Sequence, residues 1–236
     1  MTLILTIPAK GGIVLASDGQ ITSGMVRATG EKIQILNPRC IWSASGELAL
    51  IQRVEERIVA LPSNKPLMEL RDTIAQIVKQ CVTELLNLDF RTSFFQQNPD
   101  VLLQLHPGDF VFAEASPNPV ILHITVYGTP EWIKDRPFAS GNGDMFAYAL
   151  LQKYQKTSFD VERASALAYK VLEEAIEVGA YGLGPPIGIW QLSKDGAKQL
   201  DGPEVTRISD TANTLRQAEI AIFTEDVNEK EGSSTT

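Results

Sequence analysis

The sequence predicts an α+β fold of four layers, αββα, in which two antiparallel sheets lie between two helical layers. Three observations lead there. Short β-prone runs and helical stretches come in blocks: strands, two helices, strands, two helices, strands. Each helical stretch carries one apolar stripe, so each must cover a sheet face. At 236 residues with 44% hydrophobic content, the chain is long enough to bury a sizeable core as one domain.

The elements follow in order. Leu3–Pro8 and Ile13–Ser17 read as strands around Lys10-Gly11-Gly12, where glycine supplies the positive φ of a tight hairpin. The chain therefore begins inside a sheet. A strand pair is expected around Met25–Arg27 and Lys32–Leu36, followed by a buried strand Cys40–Ser45 that ends in Ser45-Gly46. Glu47–Ala60 places Leu48, Ile51, Val54 and Ile58 on one stripe, and a second helix over about Leu67–Leu88 does so with Leu70, Ile74, Val78, Cys81 and Leu85. Residues 89–108 match neither period. Asp109–Ala115 and Val120–Tyr127 read as a hairpin around Ser116-Pro117-Asn118-Pro119, since proline removes ladder donors. Asp144–Tyr154 is helical, and Asp160 is a good N-cap for a helix to about Val178. Ile187–Leu192 and Ala197–Leu200 flank the turn Ser193-Lys194-Asp195-Gly196. Residues 1–223 form the expected domain, and residues 224–236, acidic and nearly devoid of apolar side chains, read as a disordered tail.

Composition narrows the function. The net charge of −8 repels nucleic acid and anionic lipid, and no basic stripe compensates. No apolar run approaches the roughly 18 to 20 residues that span a bilayer, and the opening lacks a secretory signal, so a cytoplasmic location is expected. Cys40 and Cys81 are too few for a disulfide framework or a Cys-rich metal site. G-x-S-x-G, Walker A, dinucleotide and H-E-x-x-H patterns are missing, and neither His106 nor His123 stands in a recognisable nucleophile motif. No metal or organic cofactor is expected.

The N-terminus offers another chemistry. A free terminal amine has a pKa of roughly 7.7 to 8.0, close enough to neutrality to act as a general base. A terminal threonine needs no histidine, because its own amine can take the hydroxyl proton. Thr2 is small enough for an initiator-methionine aminopeptidase to remove Met1 and free that amine.

The run from Thr2 to Gly24, TLILTIPAKGGIVLASDGQITSG, resembles the opening of proteasome β-subunit-like N-terminal nucleophile hydrolases, without a gap from Thr2 to Asp18. The resemblance implies Thr2 as nucleophile, with Asp18 and the Lys32 of Glu31-Lys32-Ile33 as the charged pair beside it. A neighbouring ammonium lowers the pKa of hydroxyl and amine, and the carboxylate offsets the cost of burying it. Ala44-Ser45-Gly46 matches the segment whose glycine N–H serves as oxyanion donor, which implies that role for Gly46. By the same match, Thr22 binds substrate backbone and Ala44 lines the primary specificity pocket. In Gly141-Asn142-Gly143, Asn142 stands where the family carries a supporting serine. The family's later Asp and Ser fall on Gly179 and Gly182, which have no side chains to orient an amine. The resemblance further implies the αββα sandwich, a homo-oligomeric ring, a peptide or unfolded protein as substrate, and an ATPase regulator of unknown identity. The function expected is a threonine peptidase. Two alternatives stay open: a weakly active or inactive ring acting as a binding chamber, and an amidase acting on a small amide.

Overall fold

A computed structural model of the chain describes residues 2–23, 26–86, 108–116, 118–125, 127–179 and 182–231. The first hairpin joins β1 (Leu3–Lys10) to β2 (Gly12–Asp18) through Gly11, whose φ of 83° lies in the left-handed region that favours glycine. β3 (Gln20–Ser23) and β4 (Val26–Thr29) make a hairpin of their own. The expected partnership of Met25–Arg27 with Lys32–Leu36 is therefore corrected. β5 (Ile33–Asn37) pairs instead with β6 (Cys40–Gly46), which it reaches through Pro38-Arg39. So short a link costs little closure entropy, and Asn37 Oδ1 steadies it by accepting from Arg39 N at 2.9 Å.

Helices α1 (Leu48–Ile58) and α2 (Leu67–Glu84) follow, then β7 (Gly108–Glu114), β8 (Val120–Ile124), β9 (Pro130–Ile133) and β10 (Phe138–Gly141). β8 ends before Tyr127 because the chain turns there, with Gly128 N donating to Thr125 O at 2.8 Å. α3 (Asp144–Leu151) continues into a 3₁₀ turn, Gln152–Tyr154. The short β11 (Phe159–Asp160) leads to α4 (Val161–Glu177), and Asp160 caps it by accepting from Arg163 N at 2.7 Å. β12 (Ile187–Ser193), β13 (Gly196–Gln199) and α5 (Gly202–Glu231) complete the described chain.

One sheet runs β10-β1-β2-β12-β13, antiparallel along that path, with β11 alongside β1 in parallel; the other runs β5-β6-β7-β8-β9, antiparallel throughout. Alternation divides their side chains among three cores. Leu3, Leu5 and Ile7 of β1 and Val14 and Ala16 of β2 pack against α3, α4 and Ile208 of α5. Trp42 and Ala44 of β6 and Phe110 and Phe112 of β7 pack against α1 and α2. Ile4, Leu15, Ile41 and Val111, from the opposite faces, meet in a third core between the sheets. Both faces being covered explains why these strands are nearly continuous apolar runs.

Five elements, β3, β9, β10, β11 and α5, have no counterpart in the reading of the sequence. β9 and β10 are four residues each. α5 has only a narrow apolar stripe, Val205, Ile208 and Ala212, and ion pairs join it to α4: Arg216 bonds Glu173 at 2.6 Å, and Lys170 meets Glu219 at 2.9 Å. α5 also runs into the polar stretch that begins at Thr224. Of the segment 89–108, only Gly108, the first residue of β7, lies within the described residues. Among the described residues no helix is long and apolar enough to cross a membrane.

Candidate active site

β1 places Thr2 just ahead of its first residue, buried at 8% exposure, at the end of the sandwich where β2 finishes with Asp18. Asp18 is fully buried and saturated with donors. Its Oδ1 accepts from Leu3 N at 3.0 Å and from Lys32 Nζ at 2.7 Å, and its Oδ2 from Gln20 N at 3.2 Å and Gly184 N at 3.3 Å. One carboxylate thus fixes the backbone next to Thr2, the β2–β3 corner and the loop before β12. Four donors, one of them an ammonium, compensate the burial of its charge.

Lys32 sits one residue before β5, its side chain 7% exposed, and its carbonyl accepts from Ser43 Oγ of β6 at 2.8 Å. Burial pushes the ammonium pKa below the ordinary lysine value, against the opposing pull of Asp18. Lys32 and Thr2 line one cavity of about 340 Å³. Ala44 and Gly46 line it as well. Gly46 closes β6 with φ 127° and directly precedes Glu47, the N-cap of α1. The sequence-predicted Thr2, Lys32, Ala44 and Gly46 are thus brought to one cavity, with Asp18 behind them.

Thr22 lies in β3 opposite Arg27, and the neighbouring Ile21 lines the cavity. Asn142 follows β10 in the turn to α3; it is exposed, and its side chain forms no hydrogen bond among the described residues. The turn itself is held close to Thr2. A Cβ on Gly141 would lie 2.1 Å from the Thr2 carbonyl oxygen, so only glycine permits the approach. Tyr148 fixes β10 from α3, its hydroxyl donating to Ala139 O at 3.0 Å and accepting from Ala139 N at 3.2 Å.

Gly179 and Gly182 both have positive φ, 66° and 62°. Their loop reaches the site through its backbone. Gly182 O accepts from Gln20 Nε2 at 2.7 Å, and Gly184 O accepts from Gly19 N at 3.0 Å.

A buried polar group beneath Thr2 escaped the reading of the sequence. Ser140 pairs with Ile4 in register and its Oγ donates to Asp109 Oδ2 at 3.4 Å; Asp109 pairs with Ser45. His123 approaches Asp109 at 3.4 Å and Glu131 at 3.8 Å and packs on Phe138. These side chains tie β7, β8 and β10 together at the end where Ser45 and Gly46 emerge. Their separation along the chain gave no local signal. His106 lies outside the described residues. Cys40 and Cys81 are buried free thiols, and burial foremost raises the pKa of each. Among the described residues no three His, Cys, Asp or Glu side chains are grouped to hold a metal ion.

No protein-family model matches the chain. It is 28% identical over 202 residues to a proteasome subunit beta of Nanoarchaeum equitans, covering 85% of this chain and 97% of that protein. It is 29% identical over 187 residues to the ATP-dependent protease subunit HslV of a Sulfurihydrogenibium species, covering 75% and 86%. Among solved structures, the Anbu (Gly-1) mutant from Hyphomicrobium sp. strain MC1 superposes with a TM-score of 0.67 at 15% identity, over 92% of this chain and 96% of that one. Over most of its length the chain is similar to proteasome β and HslV subunits, the N-terminal nucleophile hydrolases. The fold agrees, since the likeness to the Anbu structure extends across both sheets and the helices that flank them. The position of Thr2 at the head of β1, next to the Leu3 N–H that the buried, Lys32-paired Asp18 accepts from, is the geometry that bears on chemistry.

Proposed function

We propose that this chain is a threonine peptidase of αββα architecture that cleaves peptide bonds with Thr2 as nucleophile, inside a homo-oligomeric ring. The observation that carries the reading is the buried Asp18 carboxylate, which binds both Leu3 N and Lys32 Nζ and so holds an ammonium next to Thr2 at the mouth of a cavity. Removal of Met1 frees the α-amine. That amine takes the proton from Thr2 Oγ as the oxygen attacks the peptide carbonyl. Gly46 N–H is the donor assigned to the resulting oxyanion, a contact whose loss typically costs about 2.7 to 4 kcal/mol in rate. Collapse breaks the C–N bond, the protonated amine passes its proton to the leaving amine, and an ester remains on Thr2. Water, deprotonated by the same amine, then hydrolyses the ester. Lys32 favours the ionised hydroxyl and the neutral amine, and Asp18 positions Lys32. Ala44 and Thr22 are assigned to the substrate side chain and backbone. Asn142 stands in the turn beside Thr2, with its side chain free to reach a bound substrate.

A second reading, a ring with weak or no activity that acts as a binding chamber, is favoured by one observation. Asn142 is exposed, and Gly179 and Gly182 offer only backbone where side chains would orient the amine. Turnover of unstructured polypeptide by Met1-free protein separates the two. The peptidase reading expects cleavage by the native chain and none by Thr2→Ala at equal assembly; equal cleavage by both, or by neither, contradicts it.

A further inference from the structure

The cavity beside Thr2 continues along α1, which turns Leu48, Ile51, Gln52 and Glu55 towards it, the i, i+3, i+4, i+7 spacing of one helix face. Leu48 stands two residues after Gly46, and Glu55 lies about 10 Å further along the axis at about 1.5 Å per residue. The cavity therefore starts at Thr2, Lys32, Gly46 and Glu47 and runs past Leu48 and Ile51 to a further carboxylate, Glu55. Among the described residues three carboxylates line it, those of Glu31, Glu47 and Glu55, against the one ammonium of Lys32. That ammonium is bonded to Asp18 at 2.7 Å. Glu31 accepts from Gln199 Nε2 at 3.1 Å, whereas Glu47, although the N-cap of α1, makes no side-chain cap bond. Neither Glu47 nor Glu55 forms an ion pair among the described residues.

A cavity rich in carboxylates, with Leu48 and Ile51 along one wall, matches a long basic side chain, whose aliphatic stem packs on hydrocarbon while its charged head pairs with carboxylate. We infer that this cavity selects lysine or arginine in the bound peptide, the stem lying along Leu48 and Ile51 and the head at Glu55, with Glu47 adding negative potential. Placement of that residue on the acyl side of the cleaved bond rests on the reading of Thr2 as nucleophile; the selectivity itself rests on the cavity alone. An acidic side chain is repelled by the same groups.

Equilibrium binding decides the matter without requiring turnover. Titration calorimetry of the full chain with N-acetylated Leu-Leu-Arg, Leu-Leu-norleucine and Leu-Leu-Glu amides is expected to rank them in that order, with arginine about tenfold ahead of norleucine, the factor of one charge-assisted hydrogen bond. In Glu55→Gln the arginine advantage falls towards one. In Glu56→Gln, an exposed neighbour outside the cavity, it persists. Equal binding of the arginine and norleucine peptides, no binding of any of the three, or an advantage that survives both Glu55→Gln and Glu47→Gln overturns the inference. A chain that binds in the expected order yet never acylates Thr2 refutes the catalytic reading and leaves the selectivity standing.

Discussion

Asp18 is the residue on which the site depends, because Leu3 N and Lys32 Nζ converge on one of its oxygens. Asp18→Ala leaves a buried ammonium without its counterion, and breaking such a pair typically costs about 3–5 kcal/mol, measurable by urea unfolding. The lowered pKa of Lys32 has a second consequence. The folded chain holds this proton less tightly than the unfolded one. As pH rises the folded lysine loses its proton first, so between its folded and ordinary values the unfolded chain binds more protons and stability increases with pH. The cation beside Thr2 is lost over that same window. The rate of Thr2 acylation should therefore fall on an alkaline limb below the ordinary lysine range, and Lys32→Arg should carry that limb upwards; a limb that does not move contradicts the role given to Lys32. Thr2, Asp18, Lys32 and Gly46 were legible in the sequence because the run from Thr2 onward resembles proteasome β-subunit-like hydrolases. Asp109 and Ser140 were not, since their bond joins strands 31 residues apart.

Strands and helices with strong local signals were equally legible: the Gly11 turn, the Asp160 cap and the stripes of α1 and α2. Those fixed by tertiary partners were not. β9 and β10 are too short to show a period, and α5 uses ion pairs where a broader stripe would have announced it. The start of α2 shows how a distant side chain can finish an element. Pro66 is its N-cap and offers no side-chain bond, but Glu114 of β7, buried and with its pKa raised chiefly by that burial, accepts from Leu67 N at 2.8 Å. Glu114→Ala removes the acceptor and should destabilise the fold by about 1–3 kcal/mol in denaturant, whereas Glu114→Gln, which keeps an acceptor oxygen, should cost markedly less. Equal losses in the two variants would remove the capping role.

At the scale of the whole molecule, three cores make one body whose end carries the site, and α5 belongs to the first of them through Ile208. Ile208→Ala should cost about 2–5 kcal/mol, as for other fully buried aliphatics. Ile222→Ala, at an exposed position of the same helix, should stay within about 0.5 kcal/mol. Similar thermal unfolding of the two variants would show that α5 is an appendage. The two-sided burial of the sheets was readable from apolar strands, while the strand order β10-β1-β2-β12-β13 was not, because it brings together runs more than a hundred residues apart.

The central claim is that Thr2, once freed of Met1, is a nucleophile. Intact mass spectrometry and peptide mapping after incubation with a peptide epoxyketone test it most directly. One adduct per chain is expected, mapped to Thr2 and abolished in Thr2→Ala. A Met1-free chain that forms no adduct would contradict it.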